Sequence, residues 1–157
     1  MEVFEVLRLG FFLVVLVTLA VIDIKHGLLP NKIIYPAVVV TLILNILSPV
    51  TNTGGTVITG ICLAGFFLVT ALLLKQLGAG DIKLALLIGL MAGFPGGVIA
   101  LSTGIFLGGL AAVCLVVSRL RNRKDTIPYG PFLAAGTAFA LIGMQYHIFD
   151  FLYTLPA

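Results

Sequence analysis

The sequence predicts an all-α protein, a polytopic membrane bundle of about six transmembrane helices in a single domain over residues 1–157, with both termini on the outer side. Three observations predict it. Hydrophobic residues make up 61% of the chain and charged ones 10%, with a mean hydropathy of +1.23, too little polar side chain to cover a soluble globule. Apolar runs recur along the chain, separated by short basic stretches, and no Pro-rich, Ser-rich or charged stretch is long enough for a linker or a second domain. The formal charge of +3 is distributed over those short loops instead of one face, which argues for membrane topology and against a nucleic-acid surface.

The first segment, Val3 to Ile22, is read as a retained helix and not a cleaved signal peptide. Glu2 and Glu5 stand where a basic n-region is expected, and Thr18-Leu19-Ala20 is a poor cleavage site. The second, Ile33 to Leu47, follows Pro30-Asn31, which reads as a turn and cap. The third spans Val57 to Leu74. The fourth and fifth, Ile82 to Phe94 and Val98 to Val117, could be read as one long helix. That would put Lys83 and the Arg119 to Lys124 cluster on opposite sides, against the tendency of Lys and Arg to stay cytoplasmic. A hairpin turning at Gly93-Phe94-Pro95-Gly96-Gly97 removes the conflict and uses residues that end helices. The sixth, Phe132 to Phe149, follows Pro128, Gly130 and Pro131, a shaped helix entry.

With that hairpin, the first loop carries Lys25 and Lys32, the third Lys75 and Lys83, and the fifth Arg119, Arg121, Arg123 and Lys124. The second and fourth loops carry none. This alternation places the odd loops in the cytoplasm and leaves Arg8 alone outside.

Two acids, Asp23 and Asp81, stand where apolar segments meet the cytoplasmic loops, and each opens the tripeptide Asp-Ile-Lys. A carboxylate at a membrane boundary is costly and is usually kept for function. Two on one face suit amide hydrolysis, because one can take a proton from water while the other, still protonated, donates to the carbonyl or leaving nitrogen. Like charges in close range push their titrations apart and supply both protonation states at one pH. Gly78 and Gly80, just before Asp81, would let an extended substrate backbone come close and would permit a tight entry into the next helix. His26 could tune Asp23 or contact substrate, although a loop histidine is more often solvated. Lys25 and Lys83 lie two positions from the acids, a spacing that does not pair side chains on a helix, so snorkelling to lipid headgroups is expected. Cys62 and Cys114 lack metal-ligand spacing and read as small packing residues within helices.

Three ordered blocks, Asp23-Ile24-Lys25-His26-Gly27-Leu28-Leu29-Pro30-Asn31, Gly78-Ala79-Gly80-Asp81-Ile82-Lys83-Leu84 and Ile127-Pro128-Tyr129-Gly130-Pro131-Phe132-Leu133-Ala134, resemble the type IV prepilin peptidases. These are membrane-embedded aspartyl proteases of the GxGD type. The first block is similar to the family's acid followed by a hydrophobic-Pro-Asn or hydrophobic-Pro-Asp turn, the second to its GxGDxKL block and the third to its PxGPFLA segment. The resemblance implies that Asp23 and Asp81 are the catalytic acids, with Pro30, Asn31, Gly78, Gly80, Lys83, Pro128, Gly130 and Pro131 as supporting motif positions. It implies removal of the short basic leader of prepilin-like or pseudopilin-like membrane proteins at the cytoplasmic face of a bacterial inner membrane. The substrate helix would approach laterally within the bilayer, and neither metal nor organic cofactor is required. Longer, bifunctional members carry a cysteine-paired N-terminal segment and also N-methylate the new terminus. Nothing of that kind precedes Asp23 here, so peptidase activity alone is expected. A reading from another class is a small transporter or channel subunit using the two acids as a proton or cation relay. Both acids lie at one edge, where a relay would want ionisable groups near mid-bilayer. A non-catalytic scaffold is the third reading.

Overall fold

A computed structural model describes residues 2–27, 29–48, 51–74, 78–118 and 129–145. The described residues form five helices, α1 Glu2–His26, α2 Asn31–Leu47, α3 Thr53–Leu74, α4 Ala79–Val117 and α5 Gly130–Gln145, and no strand occurs among them. Three stretches are long and apolar enough to cross a membrane, Val3–His26, Thr53–Leu73 and Ala79–Cys114, while Asn31–Leu47 and Gly130–Met144 are shorter apolar helices. The outward faces of α1, α2 and α3 carry Val3, Leu7, Val14, Val39, Ile43, Ile58, Phe66 and Leu72, all exposed. So much bare apolar surface belongs against hydrocarbon and not water.

The expected fourth and fifth segments are the two helical arms of α4, which meet at a break where the sequence marks a turn. Gly93 takes φ 60 and ψ −167 and Phe94 takes φ −95 and ψ 138, neither of them helical. A Cβ on Gly97 would lie 3.5 Å from Gly89 Cα, a proximity that requires the second arm of α4 to fold back along the first. Only glycine adopts the positive φ at position 93 without strain. α1 runs four residues further than expected, so Asp23 and Lys25 belong to its last turns. Its end is a left-handed glycine, Gly27 at φ 61, whose N–H donates to Asp23 O at 2.8 Å. The Arg119 to Lys124 cluster, Pro128 and the end of the sixth expected segment lie outside the described residues.

α4 sits at the centre, packed by α2, α3 and α5, while α1 packs on α5 and α2. Leu84, Ala85, Leu87 and Ile88 on its first arm are fully buried. Within lipid there is little hydrophobic drive to bring two helices together, so close backbone approach through small residues does that work. At Gly89 an added Cβ would fall onto Gly60 Cα of α3 and come within 2.6 Å of Gly60 N. At Gly136 of α5 it would lie 2.5 Å from both Ala100 O and Gly104 N of α4. Gly104 and Gly108 are likewise closely packed contact points, against Leu133 and against Tyr129 and Phe132. Cys62 and Cys114 are exposed and do not pack in the core; Cys62 lines an open cleft between α3 and the second arm of α4, with Val98 and Leu101 across from it.

At the end of α1 away from Asp23, a polar cluster joins four segments. Arg8 pairs with Glu5 at 2.6 Å, donates to Thr51 Oγ1 and Asn45 Oδ1, and lies over the Phe12 ring. Ser48 Oγ donates to Glu5 Oε1 at 2.6 Å. Asn45, fully buried, donates to Thr56 Oγ1 at 3.2 Å and to Leu90 O at 2.7 Å. The break at Gly93 and Phe94 removes helical partners from the closing carbonyls of the first arm, and Asn45 supplies one from α2.

Asn45→Leu leaves the Leu90 carbonyl without this donor in an apolar surround. The expected loss is about 1–3 kcal/mol of stability, read as a lower melting temperature of the detergent-solubilised protein. Gly89→Ala overpacks two backbones and is expected to cost about 1–3 kcal/mol in the same measurement, with no effect of comparable size for Gly65→Ala, where a Cβ meets open space.

Candidate active site

Helix ends dictate the site. The first N–H groups of a helix have no intrahelical acceptor and present partial positive charge, so a helix start is a natural place to hold a carboxylate. The sequence uses this twice. α4 begins after Gly78, and Asp81, three residues later, reaches back so that its Oδ2 accepts from Gly78 N–H at 3.2 Å. The Asp81 N–H in turn donates to Gly78 O at 3.0 Å. This is the reciprocal geometry of a capping box with its side-chain half supplied by Asp81.

α5 begins at Gly130, and its N–H donates at 2.9 Å to Oδ2 of Asp23, in the last turns of α1 and only 5% exposed. Any side chain at 130 would collide with that carboxylate, since a Cβ there would lie 2.5 Å from Asp23 Oδ2 and 2.9 Å from Cγ. Pro131, which has no N–H to orphan, follows within the first turn. Asp23 and Asp81 lie at the same end of the bundle, near enough for the charge of one to act on the other.

Two further contacts join the acid-bearing ends. Gly80 sits under Leu29 of the segment between α1 and α2, where a Cβ would come within 3.0 Å of Leu29 Cβ. Neither Gly78 nor Gly80 has a positive φ, so close packing, and not unusual backbone dihedrals, is what requires glycine at 80. Lys83 Nζ donates to Asn31 Oδ1 at 2.6 Å and lies 5.1 Å from the Tyr35 ring centroid. It therefore reaches across to α2 instead of extending to headgroups. Pro30 is the N-cap of α2 in extended conformation, and no side chain caps that helix, because the proline side chain offers no acceptor; Asn31 is its first residue, and its side-chain carbonyl accepts from Lys83. His26 is exposed, with Nδ1 3.3 Å from Ile22 O. Among the described residues no cluster of three or more His, Cys, Asp or Glu could hold a metal ion.

An open apolar cleft between α1 and α5 runs past Leu13, Val17 and Val21 on one side and Pro131, Ala135 and Ala138 on the other. Its lining includes Val21 and Pro131, two residues before Asp23 and one after Gly130. The partners of Gly80, Lys83 and Gly130 could not be read from the sequence, since Leu29, Asn31 and Asp23 lie 51, 52 and 107 positions away respectively. The motif spacing signalled that these residues mattered, and not what they touch.

A family model described as the type IV leader peptidase family matches residues 10–113, more than half of the chain. The chain belongs to the type IV leader peptidase family. This family member is 30% identical over 136 residues to the prepilin leader peptidase/N-methyltransferase of Aeromonas hydrophila, covering 82% of the chain and 46% of that protein. To the prepilin leader peptidase/N-methyltransferase of Bacillus subtilis (strain 168) it is 26% identical over 134 residues, covering 83% of the chain and 53% of the relative. The chain thus spans about half the length of the curated relatives it matches. No solved structure matches it significantly. The matched family region contains Asp23, Gly78, Gly80, Asp81 and Lys83 and ends before Gly130.

Gly130→Ala is expected to cost about 1–3 kcal/mol through collision with the Asp23 carboxylate. In an Asp23→Gly background the same change should cost little, a non-additivity read from the melting temperatures of the four proteins.

Proposed function

We propose that this family member is an aspartic endopeptidase that removes the short basic leader of prepilin-like or pseudopilin-like membrane proteins at the cytoplasmic face of the inner membrane. One observation carries the reading. Two carboxylates from distant parts of the sequence lie at the same end of the bundle, each accepting from the N–H of a helix start. In this mechanism the pair shares one proton. The ionised carboxylate takes a proton from water as the water oxygen attacks the scissile carbonyl carbon, and the protonated one gives its proton to the carbonyl oxygen. Collapse of the tetrahedral intermediate breaks the C–N bond, with a proton passing to the leaving nitrogen. Asp23 and Asp81 fill these roles as a pair.

The proposed topology has six crossings, the two arms of α4 counting separately, with both termini outside and the acids on the cytoplasmic side. The apolar cleft between α1 and α5 favours lateral approach of the substrate's membrane segment, since its lining extends to Val21 and Pro131, neighbours in sequence of Asp23 and Gly130. N-methylation, part of the relatives' names, is not proposed for this chain. A proton or cation relay finds less support. Between the acids and the Glu5 and Arg8 pair, the buried residues described include Phe12, Leu16, Leu19, Leu87 and Ile88 with the hydroxyls of Thr41 and Thr137, and none of them is ionisable.

Asp23→Asn and Asp81→Asn should each lower cleavage of a prepilin-like substrate by at least about 10²-fold in purified protein, with melting temperatures showing both variants folded. Cleavage that survives either substitution removes the two-carboxylate mechanism.

A further inference from the structure

We infer that Lys83 is a positioning residue for the carboxylate pair and acts through Asn31. Lys83 lies one half-turn beyond Asp81, and its ammonium crosses to the start of α2, where it donates to Asn31 Oδ1 at 2.6 Å and covers Tyr35. A charge-assisted hydrogen bond of this length is among the stronger polar contacts open to a half-exposed side chain. A cation over an aromatic face adds to it. The start of α2 follows directly on Leu29, the residue packed over Gly80. Lys83 and Gly80 therefore hold the same two segments together on either side of Asp81. The connection from Leu29 back to Asp23 is short, through Gly27, whose N–H is bonded to the Asp23 carbonyl. Fixing α2 against α4 thus fixes the segment between the two acids.

It matters too that this partner is neither Asp23 nor Asp81. Among the described residues the ion pair is Glu5 with Arg8, and Lys83 forms none with Asp23 or Asp81. An ammonium in contact with either carboxylate would favour its ionised form, whereas a pair that shares one proton needs one carboxyl to stay protonated. Asn31 holds the lysine close by, and its carbonyl satisfies the ammonium in place of a carboxylate.

The role rests on the peptidase reading, and the test separates the two. Unsubstituted protein, Lys83→Met, Asn31→Ala and the double variant are compared for kcat and KM on a prepilin-like substrate in reconstituted membranes, with melting temperatures alongside. Each single substitution is expected to lower kcat about tenfold with KM within about twofold, and the double variant should be no worse than either single. Asn31→Asp, which keeps an acceptor for the ammonium, should retain kcat within about threefold. Multiplicative losses in the double variant, or a change confined to KM, would show that Lys83 acts on substrate or lipid and overturn the role alone. No cleavage by the unsubstituted protein with any prepilin-like substrate would overturn the peptidase reading and this role with it.

Discussion

Everything at the acid end depends on how closely α4 can approach its neighbours. Its contacts with α3 at Gly60 and Gly89 and with α5 at Gly104 and Gly136 are backbone against backbone. In a bilayer the lipid tails are as apolar as leucine, so helices gain most where small residues let dispersion contacts accumulate. That approach brings the start of α5 beside the end of α1, and with it Gly130 beside Asp23. A side chain at any of these glycines would push a helix outward and carry the site apart.

The chemistry of the site follows from the same economy of space. Helix starts offer unpaired N–H groups, and the fold aims two of them at two carboxylates. Gly78 and Asp81 achieve this locally within one turn. Gly130 and Asp23 achieve it across the whole chain, from the last described helix to the first. The former is written in the GxGD spacing, and the latter exists only once α1 and α5 pack together.

The opposite end of the bundle is held differently. There the cluster of Glu5, Arg8, Asn45, Ser48, Thr51 and Thr56 ties α1 and α2 to the start of α3, and Asn45 caps a carbonyl exposed by the break in α4. Between the two polar ends lies a core of Phe12, Leu16, Leu19, Ile34, Leu84 and Ile88. Buried polar groups in lipid are costly when unmatched, and most of them stand at the two ends with partners; in between, Thr137 Oγ1 donates to Leu133 O, and the buried Thr41 hydroxyl has no side-chain or backbone partner among the described residues.

The sequence by itself determined the helical class, the membrane-like composition, the turn at Gly93 and Phe94, and the two acids with their flanking glycines. These are local properties: hydropathy accumulates over a run, and a glycine-proline turn or an acid three residues into a helix acts within one turn of chain. It placed the turn and cap at Pro30-Asn31, where Pro30 is the N-cap of α2, and it misjudged Lys83, read as a headgroup anchor, because that reading considered only neighbours in sequence. Only the tertiary structure decided that Lys83 meets Asn31, that Gly80 lies under Leu29 and that Gly130 holds Asp23. Each of those contacts joins residues 50 or more positions apart, and their meeting is set by how closely glycine-lined helices pack, a property of pairs of surfaces that no single segment encodes.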